Sequence, residues 1–425
     1  MTNAHDITTT IEAGLARRYR AEARFKAYGL AGLAFAGLML VVLLVTIIRP
    51  GITGFMRHEI TLDLDTAAIA QQLRDDPAQV DFYTLTNAAM QATQGDGLVD
   101  KVSRHQFLSL AGTFAAADAK RQVMAHPDQW GSIVSVSLPL ADNVDQLLKG
   151  KIDRSLPEMQ RPLNDRQLAW VDGWQKEGRI SYRFNSDFFR RGDSRAPEAA
   201  GFLGAIVGSL ISLAVCLAVA LPIAIMAAIT LEEFARKTRV AEALEVIINN
   251  LAAVPSIIYG LLGLSVYLQL FGMPRSSPLV GGLTLAMLIM PVMIIAARAS
   301  IRAVPPSMRQ AATALGASPL QVVRHHVLPY ALPGILTGTI LSVCRALGES
   351  APLLMVGMVA FVADVPRGVT DPATAMPVQI FLWASSPELG FIEKTSSAIM
   401  VLLVILLLLN WAAIKLRNKS QLTWN

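Results

Sequence analysis

Cysteine is nearly absent from this chain: among 425 residues there are 2, Cys216 and Cys344, and both lie inside apolar runs. Two thiols so placed make neither a disulfide framework nor a zinc site, and they read as small buried hydrophobes. Histidine is thin too, at 6 residues with no H-E-x-x-H or related spacing, so no metal ligands are expected. Charged residues make up only 16% against 53% hydrophobic, with a mean hydropathy of +0.45. That is too apolar for an ordinary soluble enzyme of this length, and it describes an integral membrane protein. A phosphate-binding G-x-x-x-x-G-K-[ST] loop is missing as well, because Gly150-Lys151 is followed by Ile152. Nucleotide chemistry therefore belongs to another polypeptide. No nucleophile paired with a base stands out, so no catalytic residue is expected.

The net charge of +5 and pI near 9.3 would suit nucleic acid. The basic residues, however, sit mainly at the ends of apolar runs, where they fix membrane topology, and no nucleic-acid partner is expected. The first run, 27–48, follows Arg17, Arg18, Arg20, Arg24 and Lys26 and has no A-x-A-like cleavage signal behind it. It reads as a retained signal anchor with residues 1–26 in the cytoplasm. Further runs at about 202–230, 250–270, 279–297, 332–359 and 397–414 bring the count to about six spans. Positive loops follow the second, fourth and last of them: Arg236, Lys237 and Arg239; Arg298, Arg302, Arg309 and Arg324; Lys415, Arg417 and Lys419. Both termini, including the tail 417–425, are then cytoplasmic, although Arg190, Arg191 and Arg195 violate the rule locally.

Residues 49–198 lack any spanning run and form an extracytoplasmic insertion long enough for its own core. Alternation at 58–65 and 179–184 predicts two strands, which can pair and bring the flanking membrane helices together. Segments 66–74, 106–124 and 142–148 read as helical, giving an α+β insertion. The expected architecture is a mainly α, polytopic helical bundle, with a transmembrane domain at 199–416.

Two features carry chemistry. Between the fourth and fifth spans, the loop 300–330 contains a turn at Ala303-Val-Pro-Pro-Ser307 and a helix starting near Met308 with Ser307 as its cap. Ala311, Ala312, Ala314 and Leu315 follow, then Gly316 as a stop, and a second helix over 319–327 leads to Leu328-Pro329. A short helix of small residues suits docking in a partner's groove, and an amphipathic connector fits as well. The next apolar run carries Arg345 and Glu349 in its middle. Such side chains cost roughly 2.5 to 3.5 kcal/mol each at the centre of a membrane helix, so their default reading is functional.

Gln310-Ala311-Ala312, Gly316 four residues later, and Leu328-Pro329 twelve and thirteen beyond Gly316 resemble the coupling loop of ABC-importer permeases, E-A-A, three residues, G, nine residues, I-x-L-P. Gln310 replaces the usual Glu, keeping length and hydrogen bonding but no charge for an ion pair to the ATPase, and His326 replaces the usual aliphatic residue. Asn249 to Gly260, Arg302-Ala-Val-Pro-Pro-Ser307, Leu332 to Gly338 and Arg345-Ala-Leu-Gly-Glu349-Ser-Ala-Pro-Leu-Leu resemble the PstA-type permease of the phosphate-specific importer, and the insertion resembles an N-terminal region of some members. The resemblance implies the ABC importer permease fold, a PstC-type permease partner, a PstB-type ATPase dimer carrying ATP and Mg, and an extracytoplasmic phosphate-binding protein. This chain would bind no cofactor itself, and lipid would surround it in the inner membrane. Gln310, Ala311, Ala312, Leu315, Gly316, Leu328 and Pro329 are the implied coupling residues.

Arg345 and Glu349 are four apart, hence on one helix face and able to pair. Arg suits an oxyanion because its planar fork donates two hydrogen bonds. Two readings stay open: Arg345 exchanges Glu349 for the substrate anion, or the two form a permanent salt bridge that fixes packing. Pro255 and Ser256 are expected to kink the third span, for gating or for geometry alone. Gly201, Gly204 and Gly208, like Gly334 and Gly338, are spaced for close helix approach. The rivals to a phosphate permease are a permease for sulfate, molybdate or phosphonate, and a membrane receptor with an extracytoplasmic sensing domain.

Overall fold

The computed structural model describes residues 3–77, 79–94, 100–235 and 238–419. Arg236, Lys237 and the last residues of the expected tail, 420–425, lie outside that set. The chain opens with a 52-residue helix, α1 (Asn3–Gly54), far longer than its apolar run because the polar stretch before Ala27 continues the same helix.

After α1 comes the inserted domain. Its centre is β1 (Met56–Asp65), flanked by β2 (Ile133–Pro139) and β3 (Ile180–Phe184) in the order β2-β1-β3, both pairings antiparallel. Ile60, Leu62 and Leu64 face Leu138, Val136 and Val134 across β1 and β2. All three are fully buried, which is the period-2 alternation doing the work of a one-sided sheet. The two end strands pair as the alternation predicts, with Met56 opposite Phe184 and Ile60 opposite Ile180. Helices α2 (Ala70–Asp75), α3 (Phe82–Ala92), α4 (Lys101–Leu108), α5 (Ala115–Ala125), α6 (Asp142–Leu148) and α7 (Asp165–Lys176) close the core around Trp174, Phe107, Leu73 and Leu110. The helix expected over 106–124 is two helices broken near Gly112, whose amide donates to the Pro139 carbonyl at 2.8 Å. A Cβ at Gly112 would press on that carbonyl, so the chain must open here.

The remaining helices are α8 (Leu203–Ile229), α9 (Arg239–Ala252), α10 (Ser256–Gly263), α11 (Pro278–Arg302), α12 (Pro306–Ala314), α13 (Pro319–Val322), α14 (Leu328–Gly348), α15 (Ala351–Met355), α16 (Met376–Ala384) and α17 (Leu389–Lys419). Among the described residues five helices are long and apolar enough to cross a membrane, and the bent pair α9 with α10 brings the number to six when it is counted as one span. α11 is the central helix, packed on α8 and α14. Gly334 and Gly338 of α14 lie against Ser300 and Ala296 of α11, where a Cβ would collide, so these glycines serve helix contact as expected. Gly201 and Gly208 instead face loop carbonyls, of Arg191 and Thr374, and Gly204 lies near the Asp364 carbonyl. Their small size lets connecting loops pack on α8 rather than another helix.

Pairing of β1 with β3 does not bring the flanking helices α1 and α8 together; α1 runs antiparallel along α17 instead. One further expectation needs correction. The apolar run 332–359 is not one span: the helix stops at Gly348, Glu349 adopts an extended backbone (φ −83°, ψ 119°), and α15 starts after it. Gly348 marks the stop, but the apolar residues beyond it conceal the break.

Candidate functional site

The loop between α11 and α14 begins with Pro305 at the N-cap of α12 and Pro306 in its first turn. Proline is preorganised for that place, so the cap falls two residues before the Ser307 expected from sequence. Ala312 is buried in the apolar cluster that also holds Val304, Val322, Val327 and Ile335. Gln310, Ala311, Ala314 and Leu315 are exposed, and Leu315 is 90% exposed. Gly316 has φ +84°, and the amide of Ala317 donates to the Ala312 carbonyl at 3.1 Å, closing the helix by a left-handed turn. Ser318 and Gln321 then form a capping box for α13. Leu328-Pro329 does not end this second helix: α13 runs on through a wide turn at 323–327 into α14. The wide turn accommodates Pro329, which cannot donate to the preceding turn.

Arg309 holds α12 in place. Its guanidinium donates to both oxygens of Glu233, the shortest contact 2.7 Å, and to the carbonyls of Val304 and Ile301 at 2.6 and 2.9 Å. Arg298 and Arg302 pair with the neighbouring Glu232, each at 2.8 Å, and Arg298 also reaches Glu245 at 3.0 Å. Three residues counted from sequence as topological positives are thus tied to the end of α8 and to α9. The adjacent glutamates just past the second apolar run are a signal that sequence reasoning passed over. The loop presents an apolar tip, Leu315 with Leu320 at 66% exposure, on a base fixed by ion pairs.

Arg345 lies in the last turn of α14, where a cation is favoured by the helix dipole, and Glu349 is the C-cap. Arg345 Nε stands 3.7 Å from Glu349 Oε1. They pair across the helix end rather than along one helical face, since Glu349 has left the helix. The Gly334–Ser300 and Gly338–Ala296 contacts set an antiparallel register that brings Arg345 level with Ile289. Ile289 lies about 16 Å along α11, a helix of about 37 Å at 1.5 Å per residue. The broken end of α14 is therefore near mid-depth of the bundle. Helices interrupted at that depth leave backbone groups and charges at places lined by protein or water. Arg345 and Leu341 (66% exposed), one turn apart, face away from this chain's own core. Near them, Gly260 of α10 packs against Pro352 of α15. Pro255 is the N-cap of α10 and Ser256 its first residue, and the axis bends there by 101° between α9 and α10.

Sequence reasoning missed a third cluster, where the inserted domain meets the N-terminal end of α17. Lys149 Nζ donates to Asp145 at 2.7 Å, to Glu393 at 2.8 Å and to the Met56 carbonyl at 2.8 Å. Glu393 also accepts from Thr53 at 2.8 Å, and His58 contacts Asp145 at 2.8 Å. Burial works against the Asp145 carboxylate, but His58 and Lys149 hold its pKa below the ordinary value. Asp142 differs: burial pushes its pKa up to about 6, although it accepts from the Gly390 amide at 3.1 Å. Its contribution to stability is thus full below its ordinary value of 3.8 and is lost as pH rises through about 6. Beside this cluster, Arg57 and Arg191 bind Asp187, and Arg191 also pairs with Asp118. That use of Arg191 explains part of the local exception to the positive-inside pattern.

A family model described as "Binding-protein-dependent transport system inner membrane component" matches residues 220–416, which takes in the last part of α8, all of α9 to α16 and most of α17. The phosphate transport system permease protein PstA of Haemophilus influenzae is 30% identical over 201 residues, covering 47% of this chain and 70% of that protein. The chain belongs to the PstA permease family. PstA of Pasteurella multocida is 30% identical over 225 residues, 53% of this chain and 79% of that one. PstA of Yersinia pestis is 32% identical over 185 residues, 44% of this chain, and the match takes in 61% of its length. A second family model, "Domain of unknown function (DUF3333)", matches residues 12–158. It stops short of α7 and β3, although β3 completes the sheet of the inserted domain. The match to the transport-system inner membrane component thus lies on the helices after β3.

Proposed function

We propose that the chain is the PstA-type permease subunit of an importer that moves inorganic phosphate across the inner membrane by alternating access, with ATP and Mg on a separate PstB-type ATPase dimer. Support comes from the PstA relatives, and the observation that carries the reading is Arg345 paired with Glu349 at the mid-depth end of a broken helix. In this reading Arg345 exchanges Glu349 for the anion as the pathway opens, and Pro255–Ser256 forms the bend that gates it. Glu349 accepts a hydrogen bond from the protonated oxygen of HPO₄²⁻, a group sulfate lacks at neutral pH. A PstC-type permease covers the face carrying Leu341 and Arg345, and an extracytoplasmic phosphate-binding protein delivers substrate. Both termini are cytoplasmic, and the inserted domain is outside. Gln310, Ala311, Ala312, Leu315 and Gly316 contact the ATPase, while Leu328 and Pro329 pass its motion into α14.

The test is phosphate uptake by an Arg345→Gln variant that assembles at the wild-type level. Hydrogen bonds to charged groups are worth ~1.5 to 3 kcal/mol, so uptake is expected to fall about tenfold or more. Unimpaired uptake would reduce the pair to a fixed salt bridge.

A further inference from the structure

We infer that Phe55, Phe184 and Phe189 form an aromatic platform that sits among the phospholipid headgroups of the leaflet beneath the inserted domain. The three rings stack on one another: Phe55 and Phe189 lie 5.8 Å apart at 16°, Phe184 and Phe189 6.2 Å at 10°, and Phe55 and Phe184 6.5 Å at 26°. Aromatic stacks usually close a core. Here the slab stays open on one side, with Phe184 55% and Phe189 37% exposed, while Phe188 beneath it is fully buried. Phe184 ends β3, an edge strand of the sheet, so no further strand covers it.

The height of the platform identifies what covers it. Gly51 of α1 packs on Met400 and Ser396 of α17, and Gly54 packs on Ser397 and Glu393. The uncharged run of α17 begins beside Ser397, three residues beyond Lys394. From Ala398 to Ile414 it spans about 25 Å at 1.5 Å per residue, close to a hydrocarbon core of about 30 Å. Gly54 therefore stands at the hydrocarbon edge, and Phe55 is the next residue. Below it Ile52 is 55% exposed, which continues the lipid-facing surface of α1 up to the rings. Exposed Arg183 and Arg190 flank Phe184 and Phe189 and match the charge of lipid phosphates. Tryptophan and tyrosine collect at this level in membrane proteins; here apolar phenylalanine rings beside arginines span the same boundary from hydrocarbon to charge. Only the membrane-spanning reading of α1 and α17 is needed here; the identity of the transported anion is not.

The platform would fix the tilt of the inserted domain against the bilayer as well as against α17. The test places a nitroxide label at Phe184→Cys, Phe189→Cys or Met159→Cys in the full-length chain with Cys216→Ser and Cys344→Ser. The protein is reconstituted in nanodiscs of phosphatidylethanolamine and phosphatidylglycerol. Power saturation compares oxygen, which partitions into lipid, with a water-soluble nickel chelate. Labels at 184 and 189 are expected to respond more to oxygen, and the label at 159, where Met159 is 99% exposed, more to the chelate. Should Phe189→Cys lower the yield of folded protein, the more exposed position 184 decides alone. Chelate dominating at 184 would place the rings in water. Weak access by both reagents would mean that protein covers them, and either result overturns the inference.

Discussion

Replacing Lys149 with Met is expected to destabilise the protein by about 3 to 5 kcal/mol, the usual penalty for removing one partner from a buried ion pair. Lys149 and Glu393 have side chains only 6% and 4% exposed, and Lys149 is also the cation for Asp145. Without it, Asp145 and Glu393, which line one small cavity, lose their shared cation and keep His58 and Thr53 as their remaining close partners. The loss is read from denaturant or thermal unfolding of the detergent-solubilised chain. Glu393→Gln in the Lys149→Met background should recover part of it, since the coupling between contacting charges appears as non-additivity in a double-mutant cycle. A shift within ±0.5 kcal/mol, typical of surface substitutions, would show that the junction is solvated and loose. The consequence for transport is mechanical: this cluster joins the inserted domain to α17 and to the end of α1, so the domain moves with those helices.

Leu315→Asp should leave stability unchanged and abolish coupling. The side chain is 90% exposed at the tip of the loop, next to Gly316 with its left-handed backbone, and makes no core contact to lose. An apolar tip on an ion-paired base is suited to fill a pocket on another protein. Truncating such an anchor costs about 2 kcal/mol or more, equivalent to ~30-fold in affinity, and a buried carboxylate costs further. Co-purification with the ATPase and ATP-dependent uptake should fall together while the unfolding midpoint stays put. Retained co-purification with full uptake would assign α12 to a connector role and move the docking surface elsewhere.

Legibility from sequence tracked how local each feature is. The strands around Ile60 and Ile180 showed in their alternation, and the long apolar helices in their apolar runs, because those patterns repeat within a few residues. β2 carries the same signal in Ile-Val-Ser-Val-Ser-Leu-Pro, with Gly131 before it, and α7 carries a capping box in Asn164 and Gln167. Both were readable and passed over. The end of α14 was hidden because apolar residues continue past Gly348, so composition could not show the break that brings Glu349 off the helix. Glu233 with Arg309, and Lys149 with Glu393, are separated by 76 and 244 residues. Nothing periodic joins such pairs, and only the folded chain puts them together. Arg345 and Glu349 were visible as charges in an apolar run; their depth came from the glycine register between α14 and α11.

The most direct measurement is ATP-dependent uptake of radiolabelled phosphate by the chain co-purified with its ATPase and partner permease, with arsenate or sulfate as competitor. The account predicts competition by arsenate, which shares the protonated oxygen and charge of phosphate, and little by sulfate. Equal competition by sulfate, or an assembled complex that moves no phosphate, would contradict it.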